Sequence, residues 1–291
     1  METATPTHGT DPKDLAGRVV WITGGGTGLG LEIGRALALR GATIAISGRS
    51  IEHLDAGRQA LEEVGARVLT VPCDVREVHP VRRAVRRILE ELGRLDVLVN
   101  NAAGNFVRPA EDLPEKAFAN VVDIVLNGTF RCSRAAAWVM IEAGRGGVIL
   151  NVVATYAWTG GPGTVHSACA KAGVLAMTRT LAVEWARHGI RVVAIAPGAF
   201  ESRGAADRLW PSLELEARVR AGVPLGRFAE RDEVAGAAAW LISDAAAYVT
   251  GECLTIDGGA WLGKGIVGDG PIPKIRRRRR PANDGTTEDD R

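Results

Sequence analysis

The chain has 291 residues, 46% of them hydrophobic, with 36 Lys and Arg against 34 Asp and Glu for a net charge of +2. That length and apolar content suffice for a large core, and the near-balanced charge gives no basis for a nucleic-acid-binding body. Four separated cysteines (Cys73, Cys132, Cys169, Cys253), with no Cys-x-x-Cys pair and no His-rich spacing, suggest neither a disulfide framework nor a metal site and fit a reducing, cytoplasmic setting.

Residues 1–14 lack the basic-then-apolar pattern of a signal peptide, and no run approaches the roughly 18 apolar residues of a membrane span, so the reading is a soluble protein with a flexible N-terminal segment. From Arg18 to Gly198 short β-branched runs alternate with helix-period segments, the signature of βαβ units. VVWIT, a glycine loop and LEIGRALALRG give strand, turn and helix. TIAIS (43–47), RVLTVP (67–72), DVLVN (96–100), GVILNVV (147–153) and RVVAIA (191–196) are apolar enough to be buried on both faces of a parallel sheet. Pro114 opens a predicted helix through Leu126, and Gly189 ends the helix that carries Lys171. CLTID follows a helix near Glu233 to Ser243 and is the last expected strand. The prediction is one α/β domain over residues 15–263, a doubly wound Rossmann-type sheet with ligands beyond the carboxyl ends of its strands. From Lys264 the composition turns to Gly and Pro, then Arg276 to Arg280, then PANDGTTEDDR, which reads as a disordered tail, basic and then acidic.

Thr23-Gly24-Gly25-Gly26-Thr27-Gly28-Leu29-Gly30 joins the first strand to the first helix, where glycines let backbone approach a pyrophosphate and the helix N-terminus faces it. The second strand ends in Ser47-Gly48-Arg49-Ser50, with no carboxylate for the two ribose hydroxyls of NAD; Arg49 instead suits the 2′-phosphate of NADP. Asp74, after the third strand, is placed either to accept from an adenine amino group or to cap a helix.

Lys171 has Ser167 four positions before it, and Tyr156 stands fifteen before it. Residues i and i+4 share a helix face, so a Tyr-x-x-x-Lys pair would set a phenol above the ammonium; serine is too short for that role. A tyrosine acting here has to arrive from the loop after the fifth strand. Ser167 either bonds substrate or water, or packs as a small residue.

With TGGGTGLG, NNAAG (100–104), the Lys171 helix and APG (196–198) in this order, the chain resembles the short-chain dehydrogenase/reductase family over about residues 15–262. CDVR (73–76), NNAAGNF (100–106), DIVLNGTF (123–130), SACAKAG (167–173) and LAVEW (181–185) are similar to the NADPH-dependent 2,4-dienoyl-CoA reductases, a subgroup with the displaced tyrosine. The wider family pairs its tyrosine with a serine thirteen positions upstream; here those places hold Ser167 and Ala154, which argues against an ordinary ketoreductase.

The resemblance implies reduction of a 2,4-dienoyl-CoA to a 3-enoyl-CoA, with Tyr156 and Asn105 donating to the thioester oxygen. Lys171 would hold the nicotinamide ribose, and its charge would make Tyr156 more acidic. Asn127 would support the site from behind. Val75, Asn101, Ala102, Pro197, Gly198 and Phe200 join the glycine loop as expected cofactor contacts, and Arg76, Phe106 and Arg208 as expected substrate contacts, under a substrate lid at about 200–223. A homotetramer is implied as well. The alternatives are a short-chain reductase for another enoyl-CoA or a ketone, and a dinucleotide-binding scaffold without catalysis; Asn105, Tyr156 and Lys171 together speak against the scaffold.

Overall fold

The computed structural model describes residues 13–200 and 213–262. Its elements are β1 (Val19–Thr23), α1 (Gly28–Leu39), β2 (Thr43–Gly48), α2 (Ile51–Glu62), β3 (Val68–Pro72), α3 (Val78–Leu92), β4 (Val97–Asn100), α4 (Glu115–Val122), α5 (Gly128–Ala143), β5 (Gly147–Val152), α6 (Tyr156–Thr159), α7 (Val165–Trp185), β6 (Ile190–Pro197), α8 (Leu213–Ala221), α9 (Arg231–Ile242) and β7 (Cys253–Ile256). Every expected strand is present. The expected helix near Glu233 to Ser243 is α9.

The seven strands form one parallel sheet in the order β3-β2-β1-β4-β5-β6-β7. Chain direction across the sheet reverses between β1 and β4, which opens a crevice there beyond the carboxyl ends. Alternation along each strand feeds both faces. Val20 and Ile22 pack with Ile33 and Leu37 of α1 and Val234 of α9, whereas Val19 and Trp21 pack on the other side with Val85, Ile88, Cys132 and Met140 of α3 and α5. Register brings Thr23 opposite both Ser47 and Asn100, and Asn100 opposite Asn151, so four polar residues line up at or one position before the carboxyl ends of four apolar strands.

One helix boundary corrects the sequence reading. The helix expected to run from Pro114 through Leu126 is α-helical only over Glu115–Val122; Asp123–Asn127 is a π-helical turn, and the rod continues as α5 to Ala143. Pro114 stands one position outside, as the N-cap. The extra residue of the π-turn lets the start of α5 sit hard against Val75, where a Cβ added to Gly128 would come within 2.7 Å of the valine. Arg203, Arg208, Trp210, most of the expected lid, residues 1–12 and the tail from 263 lie outside the described residues.

Candidate active site

The crevice between β1 and β4 holds a cavity of about 610 Å³ lined by Gly24, Gly26 and Thr27 of the glycine loop, Ser47, Gly48 and Arg49 after β2, Asp74 and Val75 after β3, and Asn101 and Ala102 after β4. Gly24 takes φ +64°, a left-handed turn open to glycine at little cost. At Gly30 a Cβ would stand 2.4 Å from the Asn101 amide nitrogen, so glycine is needed for the close seating of α1 on β4. Asn101 returns that approach by donating to the carbonyls of Thr23 and Gly24 at 3.1 and 3.0 Å, while Thr23 Oγ1 accepts from the backbone N–H groups of Asn101 and Ala102. Thr27 makes no side-chain cap on α1, which leaves the N–H groups of its first turn facing the cavity. A glycine turn, an open helix start and a cationic rim in one crevice fit a nicotinamide dinucleotide.

Arg49 is exposed at that rim. Asp74 does not cap α3, whose N-cap is Glu77; instead its carboxylate accepts from Arg76 Nε and Nη2 at 3.0 and 2.6 Å. The Arg76 hydrogen bond, aided by the more distant charge of Arg49, holds the Asp74 carboxyl below its usual range. Arg76 therefore stands beside the nucleotide cavity, tied to Asp74. Leu29 is buried in the core, Gly28 opens α1 at φ +57°, Pro197 ends β6, Gly198 abuts Asp257, and Phe200 bridges to Ala229.

Tyr156 begins α6, a single helical turn in the β5–α7 connection where the sequence suggested a loop. Its ring is not turned into the core. The hydroxyl lies 3.0 Å from Ser167 Oγ and accepts from Asn105 Nδ2 at 3.4 Å, so Tyr156, Ser167 and Asn105 converge on one oxygen. Ser167 is buried and spends its hydroxyl on Tyr156.

Lys171 is 6% exposed and gives its ammonium to the Val152 carbonyl at 2.5 Å; burial pulls its pKa down to about 8. The expectation that this charge makes Tyr156 more acidic is overturned. Burial raises the phenol pKa, and only the Ser167 hydrogen bond works the other way; the lysine ammonium is held on the Val152 carbonyl. The ordinary phenol value of 10.0 already keeps Tyr156 protonated near neutral pH, as a hydrogen-bond donor must be, and burial moves it further in that direction.

Asn127 is exposed and donates to Asp123 Oδ1 at 3.0 Å; no hydrogen bond among the described residues joins it to Tyr156 or Lys171. Phe106 stacks on His166, with ring centroids 4.3 Å apart. Trp158 meets Trp261 edge to face at 5.7 Å, linking α6 to the turn after β7. Sequence reasoning overlooked the bracing under the site: Asn100 Nδ2 donates to Ser133 Oγ and Asn151 Oδ1, and Asn151 Nδ2 donates to Thr178 Oγ1, each at 2.9 Å and fully inside the protein. The available signal was an asparagine ending each of two otherwise apolar strands. Among the described residues no group of three or more His, Cys, Asp or Glu is placed to hold a metal, and no helix is long and apolar enough to cross a membrane.

A doubly wound sheet with a glycine-loop crevice, a buried lysine and a phenol at the carboxyl edge defines a nicotinamide-dependent oxidoreductase. The family model described as enoyl-(acyl carrier protein) reductase matches residues 24–260, and the chain belongs to the short-chain dehydrogenase/reductase family. Within that family its relatives include the Bacillus subtilis "Probable 2,4-dienoyl-CoA reductase [(2E)-enoyl-CoA-producing]", 46% identical over 84% of this chain and 97% of the relative. The Arabidopsis thaliana "Peroxisomal 2,4-dienoyl-CoA reductase [(3E)-enoyl-CoA-producing]" is 40% identical over 87% of both chains. Among solved structures, a short chain dehydrogenase from Bacillus anthracis superposes with a TM-score of 0.79 at 48% identity, covering 86% of this chain and 98% of its own. Levodione reductase does so with 0.82 at 34% identity, covering 85% and 99%.

Proposed function

We propose that this chain reduces 2,4-dienoyl-CoA thioesters with NADPH to 3-enoyl-CoA, a step in the breakdown of unsaturated fatty acyl chains. One observation carries the proposal: the Tyr156 hydroxyl, arriving from α6, has its oxygen shared by Asn105 and by Ser167, the residue four before Lys171 where the wider family keeps its carbonyl-reducing tyrosine. When bound, NADPH supplies a hydride to the far carbon of the conjugated diene. The protein's task is then the thioester oxygen, on which negative charge collects as an extended enolate. The Ser167–Tyr156 bond can run either way; in the direction where Ser167 donates, the phenol proton is free to point at that oxygen, and the Asn105 amide adds a second donor beside it. In this reading Lys171, its ammonium on the Val152 carbonyl at the end of β5, holds the nicotinamide ribose, as the family resemblance implies.

NADP over NAD rests on Arg49, an exposed cation at the cavity rim at the end of β2. Arg49→Ala is expected to lower the ratio of kcat/KM for NADPH over NADH by about tenfold to a hundredfold, the worth of a charge-assisted hydrogen bond of about 1.5 to 3 kcal/mol. An unchanged ratio would remove Arg49 from cofactor choice. The free cysteines fit a cytoplasmic enzyme, and the family resemblance supports a homotetramer.

The test is NADPH oxidation against a panel of dienoyl-CoA, enoyl-CoA and ketoacyl-CoA thioesters and simple ketones, run in D2O with the product examined by NMR. Preferred turnover of the dienoyl thioester with deuterium at C2 is expected, since a 3-enoyl product takes its proton beside the carbonyl. Deuterium at C4 would assign the 2-enoyl product for which the Bacillus subtilis relative is named. Turnover of ketones alone would refute the reading.

A further inference from the structure

His166 sits in the first turn of α7, one residue before Ser167, with 0% of its surface exposed. Neither ring nitrogen has a well-aligned hydrogen bond among the described residues, although a backbone group of Phe106 lies near enough to favour the charged ring. Burial holds its pKa below the ordinary histidine value, with the Phe106 backbone opposing, so the ring is neutral near pH 7. An imidazole buried without well-aligned partners for its nitrogens costs stability that an apolar ring of the same shape would not. Its one ring contact is the stack on Phe106, nearly parallel at an interplanar angle of 19°.

Phe106 in turn sets Asn105. The Phe106 N–H donates to Asn105 Oδ1 at 2.9 Å, which fixes the amide plane and leaves Nδ2 directed at Tyr156. Residues 101–109 have no regular secondary structure, so the amide relies on side-chain and turn contacts for its place. Besides the long 3.4 Å bond to Tyr156, the loop is held to the α6–α7 platform by Arg108 N–H donating to the Gly163 carbonyl at 2.8 Å and by the His166 stack.

We propose that His166 is a positioning residue, its flat ring holding Phe106 and thereby the Asn105 amide at the Tyr156 oxygen. The kinetic half of the test rests on the dienoyl-CoA reading. The structural half does not.

Amide hydrogen exchange and steady-state kinetics are measured on the parent, His166→Ala and His166→Phe. In His166→Ala the amides of Phe106 and Arg108 are expected to exchange about tenfold faster or more, and kcat on a dienoyl thioester to fall about tenfold to a hundredfold with NADPH affinity retained, the cost of a donor displaced by about an ångström. His166→Phe, which keeps a flat ring, is expected to retain both slow exchange and turnover. In an Asn105→Ala background His166→Ala is expected to add less than about threefold, since the two changes disable one device. If His166→Ala unfolds, Phe106→Ala removes the same stack from its other side and is read by exchange at Arg108. Parent-like exchange and turnover in His166→Ala would overturn the proposal. So would His166→Phe with protected amides and turnover as low as His166→Ala, which would give the imidazole a chemical role. If the parent reduces no dienoyl thioester, the functional reading falls while the exchange comparison still decides the role of His166.

Discussion

Tyr156→Phe is expected to lower kcat on a 2,4-dienoyl thioester by about 10² to 10³, the usual cost of one oxyanion donor, while NADPH affinity stays within about twofold. The substitution removes one oxygen and leaves the ring. That oxygen is the shared partner of Ser167 and Asn105, and it lies outside the lining of the nucleotide cavity, so the loss should fall on the transition state. Burial raises the Tyr156 pKa, against the Ser167 hydrogen bond, so the phenol acts as a neutral donor and the parent rate should show no fall from phenol ionisation near neutral pH. A side effect is separable: the buried Ser167 hydroxyl loses its partner, a stability cost of about 1 to 3 kcal/mol that a thermal unfolding curve would register without altering the assignment. Steady-state kinetics with a fluorescence titration of NADPH decide the matter. Equal kcat in variant and parent would take Tyr156 out of the mechanism.

The sheet was legible because each strand is an apolar run closed by a turn, and parallel strands buried on both faces leave that pattern in a single sequence. The displaced tyrosine was legible for a different reason. Helical spacing makes Ser167 and Lys171 neighbours, so a phenol absent from position 167 must come from elsewhere, and Tyr156 is the residue that arrives. The π-turn at Asp123–Asn127 was not legible, since one extra residue inside a continuous helical pattern changes no composition and only slips the phase. His166 was missed for the opposite cause: a lone histidine in a helix has no sequence signature, and its position beside Phe106 exists only once the loop after β4 folds onto α7. The error over Tyr156 acidity came from inferring distance from family geometry. Burial outweighs the Lys171 charge in the fold, where the ammonium is held on the Val152 carbonyl.

That same lysine carries the second large expectation: Lys171→Met should leave the nucleotide-free protein at least as stable as the parent while lowering kcat by about 10² or more. The ammonium is buried, and its pKa falls from 10.5 to about 8, which places a burial penalty on the order of 3 kcal/mol on the charged form at pH 7. Methionine fills similar length without charge and forfeits a charge-assisted hydrogen bond to the Val152 carbonyl, about 1.5 to 3 kcal/mol, leaving a net gain of about 0 to 1.5 kcal/mol. The pH dependence follows with a definite sign. Below about pH 8 folded and unfolded chains both hold the proton and the full penalty stands. Between about 8 and 10.5 the folded state gives up its proton first, the unfolded state binds more, and parent stability rises with pH. Denaturant unfolding of parent and Lys171→Met across that window should show the parent climbing relative to the variant, whose own curve lacks this rise. Turnover should move the other way, since the cation proposed to hold the nicotinamide ribose is lost as pH climbs past about 8 in the free enzyme. A variant less stable than the parent at pH 7 would mean that the ammonium is stabilised by its surroundings, and a variant with parent-like turnover would mean that Lys171 does not orient the cofactor.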